Sequence, residues 1–305
     1  MNTLLRKQRG RSFRKHLSDV AYCMSISCVI LYIIFTYVES NVESICLSIP
    51  SQLEGSIEPN LSISSYEEMS SKFKWLYTGG HYSPKYCIAI QNVAIIIPFR
   101  DREEHLRVLL NNLHPILYRQ QIMYTVYVIE QADNKPFNKG KLNNIGYIEA
   151  LKGDHTCFVF HDVDLIPEND KISYGCPRSP MHLSREIDKF NYRLPDDKLI
   201  GGVSAWRKRE FEMVNGWSNA FVNWGGEDDD MSYRIIANGL SIYRYRESLA
   251  RYTMLKHRRT PVNTARFSLL EDSESRFPMD GLSSLVYIPP KVEVHQLFTK
   301  LTVID

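Results

Sequence analysis

What the sequence lacks limits the classes of protein that it can encode. It has six cysteines but no paired Cys-x-x-Cys spacing, so a structural zinc site is not expected. It has no repeated or low-complexity segment, which excludes a repeat protein or a disordered one. Six of the 37 lysine and arginine residues precede the first acidic residue, Asp19. The rest of the chain has 31 basic and 35 acidic residues, so basic residues are not in excess there. A nucleic-acid partner is therefore not expected.

The amino-terminal segment is typical of a membrane anchor. Residues 20–38 form an uncharged, mostly apolar run of about the length that crosses a bilayer as one helix. Basic residues precede this run and acidic residues follow it, so we expect a cytosolic tail over residues 1–19 and a lumenal remainder. A cleaved signal peptide is the alternative, but the run is longer than the apolar core that such peptides usually have.

The lumenal part is predicted to consist of a stem, residues 39–80, and a catalytic domain, residues 81–305. The stem is rich in serine and glutamate and carries the only sequence for N-glycosylation, at Asn60. Four cysteines follow the anchor, an even number in a compartment expected to be oxidising. With 305 residues and 44% hydrophobic content, the chain can bury a full core.

Three short apolar runs, residues 93–97, 124–130 and 156–160, are typical of buried strands. Leucine and isoleucine residues at helical spacing lie between them, and Asp101 is the expected N-cap of the first helix. Strands that alternate with helices predict an α/β fold with a Rossmann-like, mostly parallel central sheet flanked by helices. Ligands of such sheets bind at the carboxyl ends of the strands, so functional residues are expected there.

Polar residues follow the first and third of these runs. The first ends near Phe99, Arg100 and Arg102, an aromatic ring and two guanidinium groups that suit a nucleotide base and its phosphates. The third ends near Asp162 and Asp164, whose carboxylates can hold a divalent cation against a diphosphate. A turn without a ligand is the alternative, because many turns contain an Asp-x-Asp triplet.

The stretch WGGEDDDMSYRI, residues 224–235, places four acidic residues directly after two glycines. The simplest interpretation is the first turn of a helix, where acidic side chains favour the positive end of the dipole. A solvated surface run is a second interpretation. The functional interpretation is a site that binds a polyol or a cation and takes up a proton.

Together these stretches resemble the β-1,4-galactosyltransferase family, Golgi enzymes that transfer a sugar from a UDP-sugar to a terminal N-acetylglucosamine. The resemblance runs from about residue 46 to residue 303. It rests on blocks in family order: VAIIIPFRDREEHL, LHPILYRQQ, FNKGKL, FVFHDVDLIP, GGVSA, WGGEDDD and DGLSSLVY. It implies a GT-A fold, an inverting reaction, a single-pass type II protein of the Golgi membrane, and two disulfides, Cys46 with Cys87 and Cys157 with Cys176.

The resemblance also implies a role for each site residue. Those implied to hold Mn²⁺, together with the donor diphosphate, are Asp164, Met254 and His257. Those implied to contact the UDP-sugar are Pro98, Phe99, Arg100, Arg102, Phe137, Asp162, Lys189 and Glu227. Those implied to bind the acceptor, a glycan that ends in N-acetylglucosamine, are Trp224, Gly226, Asp228, Asp229, Arg266, Phe267 and Leu270. Asp228 is implied to be the general base that accepts the proton of the acceptor 4-hydroxyl.

Without the resemblance, Met254 would be interpreted as a core residue and His257 as a surface histidine. A thioether is also a soft and unusual ligand for Mn²⁺. Lys139 stands where the family commonly has arginine. An ammonium group is a point charge, whereas a guanidinium is planar and can make two parallel hydrogen bonds, so the resemblance does not predict which contact Lys139 makes. The alternative function is a catalytically inactive carbohydrate-binding protein with the same fold; the joint presence of Asp164, His257 and Asp228 favours the enzyme.

Leu199 is the most informative departure from the family pattern. The galactose-transferring members usually have a tyrosine at this position, and its hydroxyl crowds the space beside the second carbon of the donor sugar. Leucine has no such hydroxyl, so the resemblance implies that UDP-N-acetylgalactosamine is accepted as well as UDP-galactose. The ordinary interpretation of Leu199 is an apolar side chain in a β run.

Overall fold

The computed structural model describes residues 24, 27–32, 44–258 and 261–304. It forms two units, Met1–Ser44 and Ile45–Asp305. In the first unit, the described residues 27–32 are helical. Most of the predicted anchor, residues 20–38, lies outside the described residues, and none of the helices that are described is long and apolar enough to span a membrane.

The second unit alternates strands with helices. In chain order its elements are α1 (Tyr66–Lys72), β1 (His81–Tyr82), β2 (Asn92–Phe99), α2 (Glu103–Arg119), β3 (Met123–Gln131), α3 (Lys139–Ala150), β4 (Cys157–His161), β5 (Leu165–Pro167), β6 (Met181–His182), β7 (Glu186–Ile187), β8 (Val203–Arg207), α4 (Lys208–Met213), α5 (Glu227–Ala237), β9 (Tyr243–Arg244), β10 (Arg251–Met254), α6 (Arg266–Glu271), α7 (Ser273–Arg276), β11 (Lys291–Val294) and β12 (Thr299–Val303). Short 3₁₀ turns, such as Asp188–Phe190, connect some of them.

Nine strands form the main sheet, in the order β11-β12-β3-β2-β4-β8-β6-β9, with β1 paired to β3. The four central strands, β12, β3, β2 and β4, run parallel to one another. Strand β8 is antiparallel to both β4 and β6. The predicted α/β class is confirmed, but the parallel pairing is confined to the sheet centre and to the edge pair of β6 and β9. A second sheet has the order β5-β10-β7.

The central strands form because helices cover both faces of the sheet. In β2, Val93, Ile95 and Ile97 belong to one apolar cluster, and Ala94 and Ile96 belong to another. Successive side chains of a strand point to opposite faces, so a strand buried on both faces is a continuous apolar run. The three predicted strands are therefore confirmed, each with a shift of one or two residues at its ends.

The predicted N-cap of α2 is wrong. The helix begins at Glu103 after Arg102 as its cap residue, and no side chain caps it. Asp101 lies one residue too early and has a φ of 52°, the left-handed region. An N-cap residue instead has extended backbone, from which its side chain can accept a hydrogen bond from the second or third helical N–H. Asp101 consequently lies in the turn out of β2 and does not cap α2.

Part of the predicted stem packs into the second unit. Helix α1 begins with a capping box between Ser65 and Glu68. Its Met69, and Phe73 after it, are fully buried in the apolar cluster that contains β2. The stem boundary at residue 80 stays a prediction, although α1 shares the core of the sheet. Asn60 is exposed, and its glycosylation also stays a prediction.

Both implied disulfides are confirmed. Cys46 is bonded to Cys87, which joins the start of the second unit to the segment before β2. Cys157 is bonded to Cys176, which ties the first residue of β4 to the loop before β6. The second bond fixes the segment that leads out of β4, where Asp162 and Asp164 lie.

Candidate active site

Three carboxylates surround one ammonium group at the carboxyl end of β4. The Nζ atom of Lys139 lies 3.0 Å from Oδ1 of Asp162, 3.6 Å from Oε1 of Glu227 and 3.7 Å from Oδ1 of Asp228. Lys139 is the first residue of α3, Asp162 follows β4, and the other two begin α5. We call Asp162, Glu227 and Asp228 the carboxylate cluster.

Glycines bring the carboxylate cluster together. Gly225 and Gly226 have φ values of 105° and 101°, and a Cβ atom on Gly226 would lie 2.5 Å from the ring of Phe221. This sharp turn lets α5 begin directly at Glu227, with the acidic residues at the positive end of the helix dipole. A Cβ atom on Gly201 would lie 2.0 Å from Oδ2 of Asp228. Only glycine therefore allows Asp228 its present position.

The cluster has a raised affinity for protons. Burial, followed by the charge of Asp228, raises the pKa of Glu227 to about 7. Burial also raises the pKa of Asp228, and the ammonium of Lys139 opposes that rise. Burial lowers the pKa of Lys139 itself, but the surrounding carboxylates outweigh this and raise it well above its ordinary value. Lys139 is thus charged, and a carboxylate of the cluster is suited to take up a proton.

The two remaining acidic residues of the stretch differ from each other. Asp229 is exposed beside the cluster. Asp230 is fully buried, and its Oδ2 accepts a hydrogen bond of 2.6 Å from Nε of Arg234. Asp230 therefore stabilises the fold, whereas Asp229 is available to a ligand.

Asp164 and His257 meet across the small sheet. Strand β10 pairs with β5 so that Met254 lies opposite Leu165, and the N–H of Leu255 donates to the carbonyl of Asp164 over 2.8 Å. Nε2 of His257 lies 3.0 Å from Oδ2 of Asp164. The three residues implied to bind the metal are thus brought to one place by strand pairing.

These residues fit a divalent cation. Nδ1 of His257 lies 2.7 Å from the carbonyl of Arg258, shorter than its 3.1 Å contact with Nη2 of Arg102. With its hydrogen on Nδ1, the ring can donate to this carbonyl and leave Nε2 to face Asp164, the arrangement that metal-bound histidines commonly have. Two ligands that each lie about 2.1 Å from one ion at a right angle are about 3.0 Å apart. Among the described residues, no three His, Cys, Asp or Glu side chains are arranged to hold a metal ion by themselves, so Asp164 and His257 would need Met254 and the donor diphosphate to complete the site.

The nucleotide side of the site differs from the prediction in one respect. Phe99 is only 5% exposed and its ring packs in the core, so the prediction that it offers an aromatic face is wrong. As the last residue of β2, Phe99 points into the core, and Pro98 is also buried. The more accessible ring is that of Phe137, which is half-buried and lies 5.1 Å from the guanidinium of Arg100. Arg100 also donates to the carbonyl of Lys135 over 2.7 Å.

Lys189 and Leu199 flank the site. Lys189 is exposed on the turn Asp188–Phe190, and the side chain of Asp188 accepts a 2.9 Å hydrogen bond from the N–H of Met254. Leu199 is half-buried and lies before β8, not in a strand, so its interpretation as part of a β run is wrong. The carbonyl of Leu199 accepts a 2.7 Å hydrogen bond from Arg244. This bond holds the backbone of Leu199, which lies two residues before Gly201.

The residues implied to bind the acceptor form one surface. Trp224 is 57% exposed, and its N–H donates to the carbonyl of Pro261 over 3.0 Å. The guanidinium of Arg266 lies 5.3 Å from the ring of Trp224 and 4.7 Å from that of Phe267. Leu270 lies one turn further along α6. Exposed rings of this kind suit the apolar face of a pyranose.

Two stretches of the chain match models of known protein families. Residues 46–177 match the N-terminal region of glycosyl transferase group 7, and residues 181–258 match the N-terminal domain of galactosyltransferase. Over 266 residues the chain is 42% identical to β-1,4-galactosyltransferase 4 of Cricetulus griseus, covering 85% of this chain and 76% of that one. The chain belongs to the β-1,4-galactosyltransferase family. It is also 45% identical over 251 residues to β-1,4-galactosyltransferase 1 of Mus musculus, covering 81% of this chain and 63% of that longer one.

A solved structure of the family shares the fold. The crystal structure of a mutant of Drosophila β-1,4-galactosyltransferase 7, a complex with manganese, UDP-Gal and xylobiose, aligns with a TM-score of 0.62 at 28% identity. The alignment covers 70% of this family member and 94% of that chain. This likeness supports the GT-A fold expected from the sequence.

Two features of the site in this family member are not predictable from its motifs. The contact of Lys139 was left open, yet its ammonium is the central cation of the carboxylate cluster. The signal for it was the run of four acidic residues without a basic neighbour, which requires a cation from elsewhere in the chain. The need for glycine at Gly201 had no local signal, because the clash it avoids involves a residue 27 positions later.

Proposed function

We propose that this protein is an inverting, Mn²⁺-dependent glycosyltransferase of the Golgi lumen. It moves N-acetylgalactosamine or galactose from a UDP-sugar, in β-1,4 linkage, to the terminal N-acetylglucosamine of a glycoprotein or glycolipid. The observation that carries the proposal is the state of Asp228. Its Oδ1 is buried, its one charged neighbour among the described residues is the ammonium of Lys139 at 3.7 Å, too far for an ordinary hydrogen bond, and burial raises the pKa of the carboxyl group. A buried carboxylate oxygen that makes no short hydrogen bond is suited to accept the proton of a sugar hydroxyl.

The reaction is a single displacement. The 4-oxygen of the acceptor forms a bond to the anomeric carbon of the donor as the bond from that carbon to the diphosphate breaks. UDP leaves with the electron pair, and Asp228 takes the hydroxyl proton. Attack from the face opposite the leaving group inverts the anomeric centre. Trp224 and Asp229, on either side of the turn into α5, hold the acceptor so that its hydroxyl points at Asp228.

Residues of the chain hold the donor at both ends. Arg100 and Phe137 lie at the base, and Arg102 and Lys189 place positive charge near the phosphates. Asp164, His257 and Met254 would hold Mn²⁺, which when bound neutralises charge on the departing diphosphate. Arg102 also contacts His257, so the phosphate and metal positions are joined.

Two members of the carboxylate cluster orient the donor. Glu227, whose pKa of about 7 makes both protonation states available, can donate to or accept from a sugar hydroxyl. Asp162 is held 3.0 Å from Lys139 at the ribose side. Lys139 keeps these carboxylates close together in the absence of a sugar, because it offsets their mutual repulsion.

The test is UDP release by the purified protein with Mn²⁺ and an N-acetylglucosaminide. We expect release with UDP-N-acetylgalactosamine and with UDP-galactose, and a β-1,4 product when the linkage is determined by NMR. The Asp228→Asn variant is the matched control, since it preserves the shape of the site. Acceptor binding without UDP release from either donor would instead support the inactive carbohydrate-binding protein.

A further inference from the structure

Helix α6 carries three residues that are proposed to bind the acceptor, but none of its side chains is fully buried in a hydrophobic core. It has six residues, Arg266–Glu271, and none of them is buried. An isolated helix of this length is not stable in water, because few hydrogen bonds offset the cost of nucleation. Most protein helices are held by a buried apolar face, whereas the apolar residues Leu269 and Leu270 of α6 are only half-buried. Polar contacts with its neighbours are therefore needed, beside this partial packing, to fix its position.

Arg276 supplies such contacts. It is the last residue of α7, and its side chain is 17% exposed. Its Nη2 donates to the carbonyl of Leu269 in α6 over 2.8 Å and to Oδ1 of Asp230 in α5 over 2.8 Å. One guanidinium nitrogen thus joins the acceptor helix to the helix that begins with the proposed base.

The other side of the same guanidinium reaches the loop before α5. Nη1 of Arg276 donates to Oγ of Ser218 over 2.8 Å and also contacts a carboxylate oxygen of Asp280. The guanidinium carbon lies 5.2 Å from the ring centroid of Phe221, three residues before Trp224. The planar fork of arginine can make several of these contacts at once, which a lysine ammonium cannot.

Asp230 provides a rigid anchor for this arrangement. It is fully buried, and its Oδ2 is held by Arg234, which is itself fully buried. Its Oδ1 accepts hydrogen bonds from Oγ of Ser273, over 2.7 Å, and from Arg276. Asp230 lies two residues after Asp228, on the same helix. A shift of α6 relative to Asp230 is therefore a shift relative to the base.

We propose that Arg276 is a positioning residue for the acceptor site. It holds α6 against α5 and against the loop of Trp224, in the arrangement that forms the acceptor surface. The inference rests on the proposed function, since it assumes that Arg266, Phe267 and Leu270 bind the acceptor.

The first test does not depend on activity. Hydrogen–deuterium exchange of the full chain is compared between wild type and the variants Arg276→Met and Arg276→Lys. Arg209→Met, on the exposed part of α4, is the matched control. We expect faster exchange confined to residues 265–276 in Arg276→Met, an intermediate rate in Arg276→Lys and no change in the control. Unchanged exchange over these residues would overturn the proposal.

The second test separates acceptor from donor binding. We expect Arg276→Met to raise the KM for the acceptor by about tenfold, the effect of losing a charged hydrogen bond, while the KM for the donor changes less than about twofold. Arg276→Lys should recover part of the difference. Slow hydrolysis of the UDP-sugar without acceptor should be unchanged. A parallel rise of both KM values, with faster exchange throughout the second unit, would assign Arg276 a general structural role and overturn the proposal.

The two tests also keep this proposal distinct from the proposed function. If the wild-type protein releases no UDP with any donor, the proposed function fails. The exchange of residues 265–276 then still decides whether Arg276 fixes α6.

Discussion

The carboxylate of Asp228 lies against the backbone of Gly201, so closely that a Cβ atom on Gly201 would be 2.0 Å from Oδ2 and 2.5 Å from the carboxyl carbon. Neither contact is possible between real atoms. The segment before β8 therefore fixes where the proposed base stands, and glycine at this position is a requirement of the site.

We predict that Gly201→Ala lowers kcat by about 10-fold to 100-fold, because a misplaced catalytic group costs on that order. Asp228 must turn away to make room for the methyl group. The measurement is steady-state UDP release, with thermal unfolding as a check that the fold persists. Gly153→Ala is the control, since in this turn after α3 its Cβ would lie 3.3 Å from the ring of His155 and 3.6 Å from the carbonyl oxygen of Ala150, much milder contacts. Equal activity of the two variants would remove the structural argument for Asp228.

The Asp228→Asn variant should keep its affinity for UDP and Mn²⁺ and lose turnover by about two to four orders of magnitude, the usual range for a general base. Asparagine has nearly the same shape but cannot take up the proton. Calorimetric titration with UDP and Mn²⁺ measures binding, and UDP release measures turnover. Retention of most of the activity would mean that another group is the base.

The pH dependence of kcat should respond to Lys139. Its ammonium lowers the pKa of Asp228 against the rise caused by burial. In Lys139→Met this opposing charge is lost, so the pKa of Asp228 rises further and the ionised base appears only at higher pH. The acidic limb of the kcat profile should therefore move to higher pH. Lys139→Arg keeps the charge and should leave the limb near its wild-type position; a limb unaffected in both variants would contradict the assignment.

The metal assignment predicts that chelation abolishes turnover and that His257→Ala raises the Mn²⁺ concentration at half-maximal activity. Loss of one ligand weakens the site, while Asp164 and the donor diphosphate still bind the ion. A Mn²⁺ titration of UDP release measures the change. His295→Ala, at an exposed histidine beside β11, is the control. Identical titration curves for wild type and His257→Ala would show that His257 is not a ligand.

The features that could be predicted most reliably from the sequence are those that depend on a local pattern of residues. The strand around Ile95 was predictable because burial on both faces requires a continuous apolar run. The cap at Asp101 was not, since it depends on the backbone angle that the turn out of β2 adopts. Residues such as His257 were assigned only through the family resemblance, because the pairing of β5 with β10 brings it to Asp164 from far along the chain. The contact of Arg276 with Asp230 is likewise tertiary, and no local pattern carries it.

The choice of donor sugar is expected to depend on Leu199. This residue is half-buried in the segment that leads to Gly201, and its carbonyl is fixed by Arg244, so its position is set by the same backbone that positions Asp228. A tyrosine here would place a ring and a hydroxyl beside the second carbon of the donor. Leucine leaves that space open to an acetamido group.

We predict that wild type uses UDP-N-acetylgalactosamine at least as well as UDP-galactose, and that Leu199→Tyr changes the ratio of their kcat/KM values in favour of galactose by roughly 10-fold to 200-fold, the usual range for a pocket change of this size. Leu199→Ile is the control, because it keeps an aliphatic side chain of equal size and should keep the wild-type ratio. The change must appear as discrimination between donors and not as a common loss, since the tyrosine crowds only the acetamido group. A wild-type protein that strongly prefers UDP-galactose would show that some other side chain fills the space beside the second carbon, and Leu199 would then have no part in donor choice.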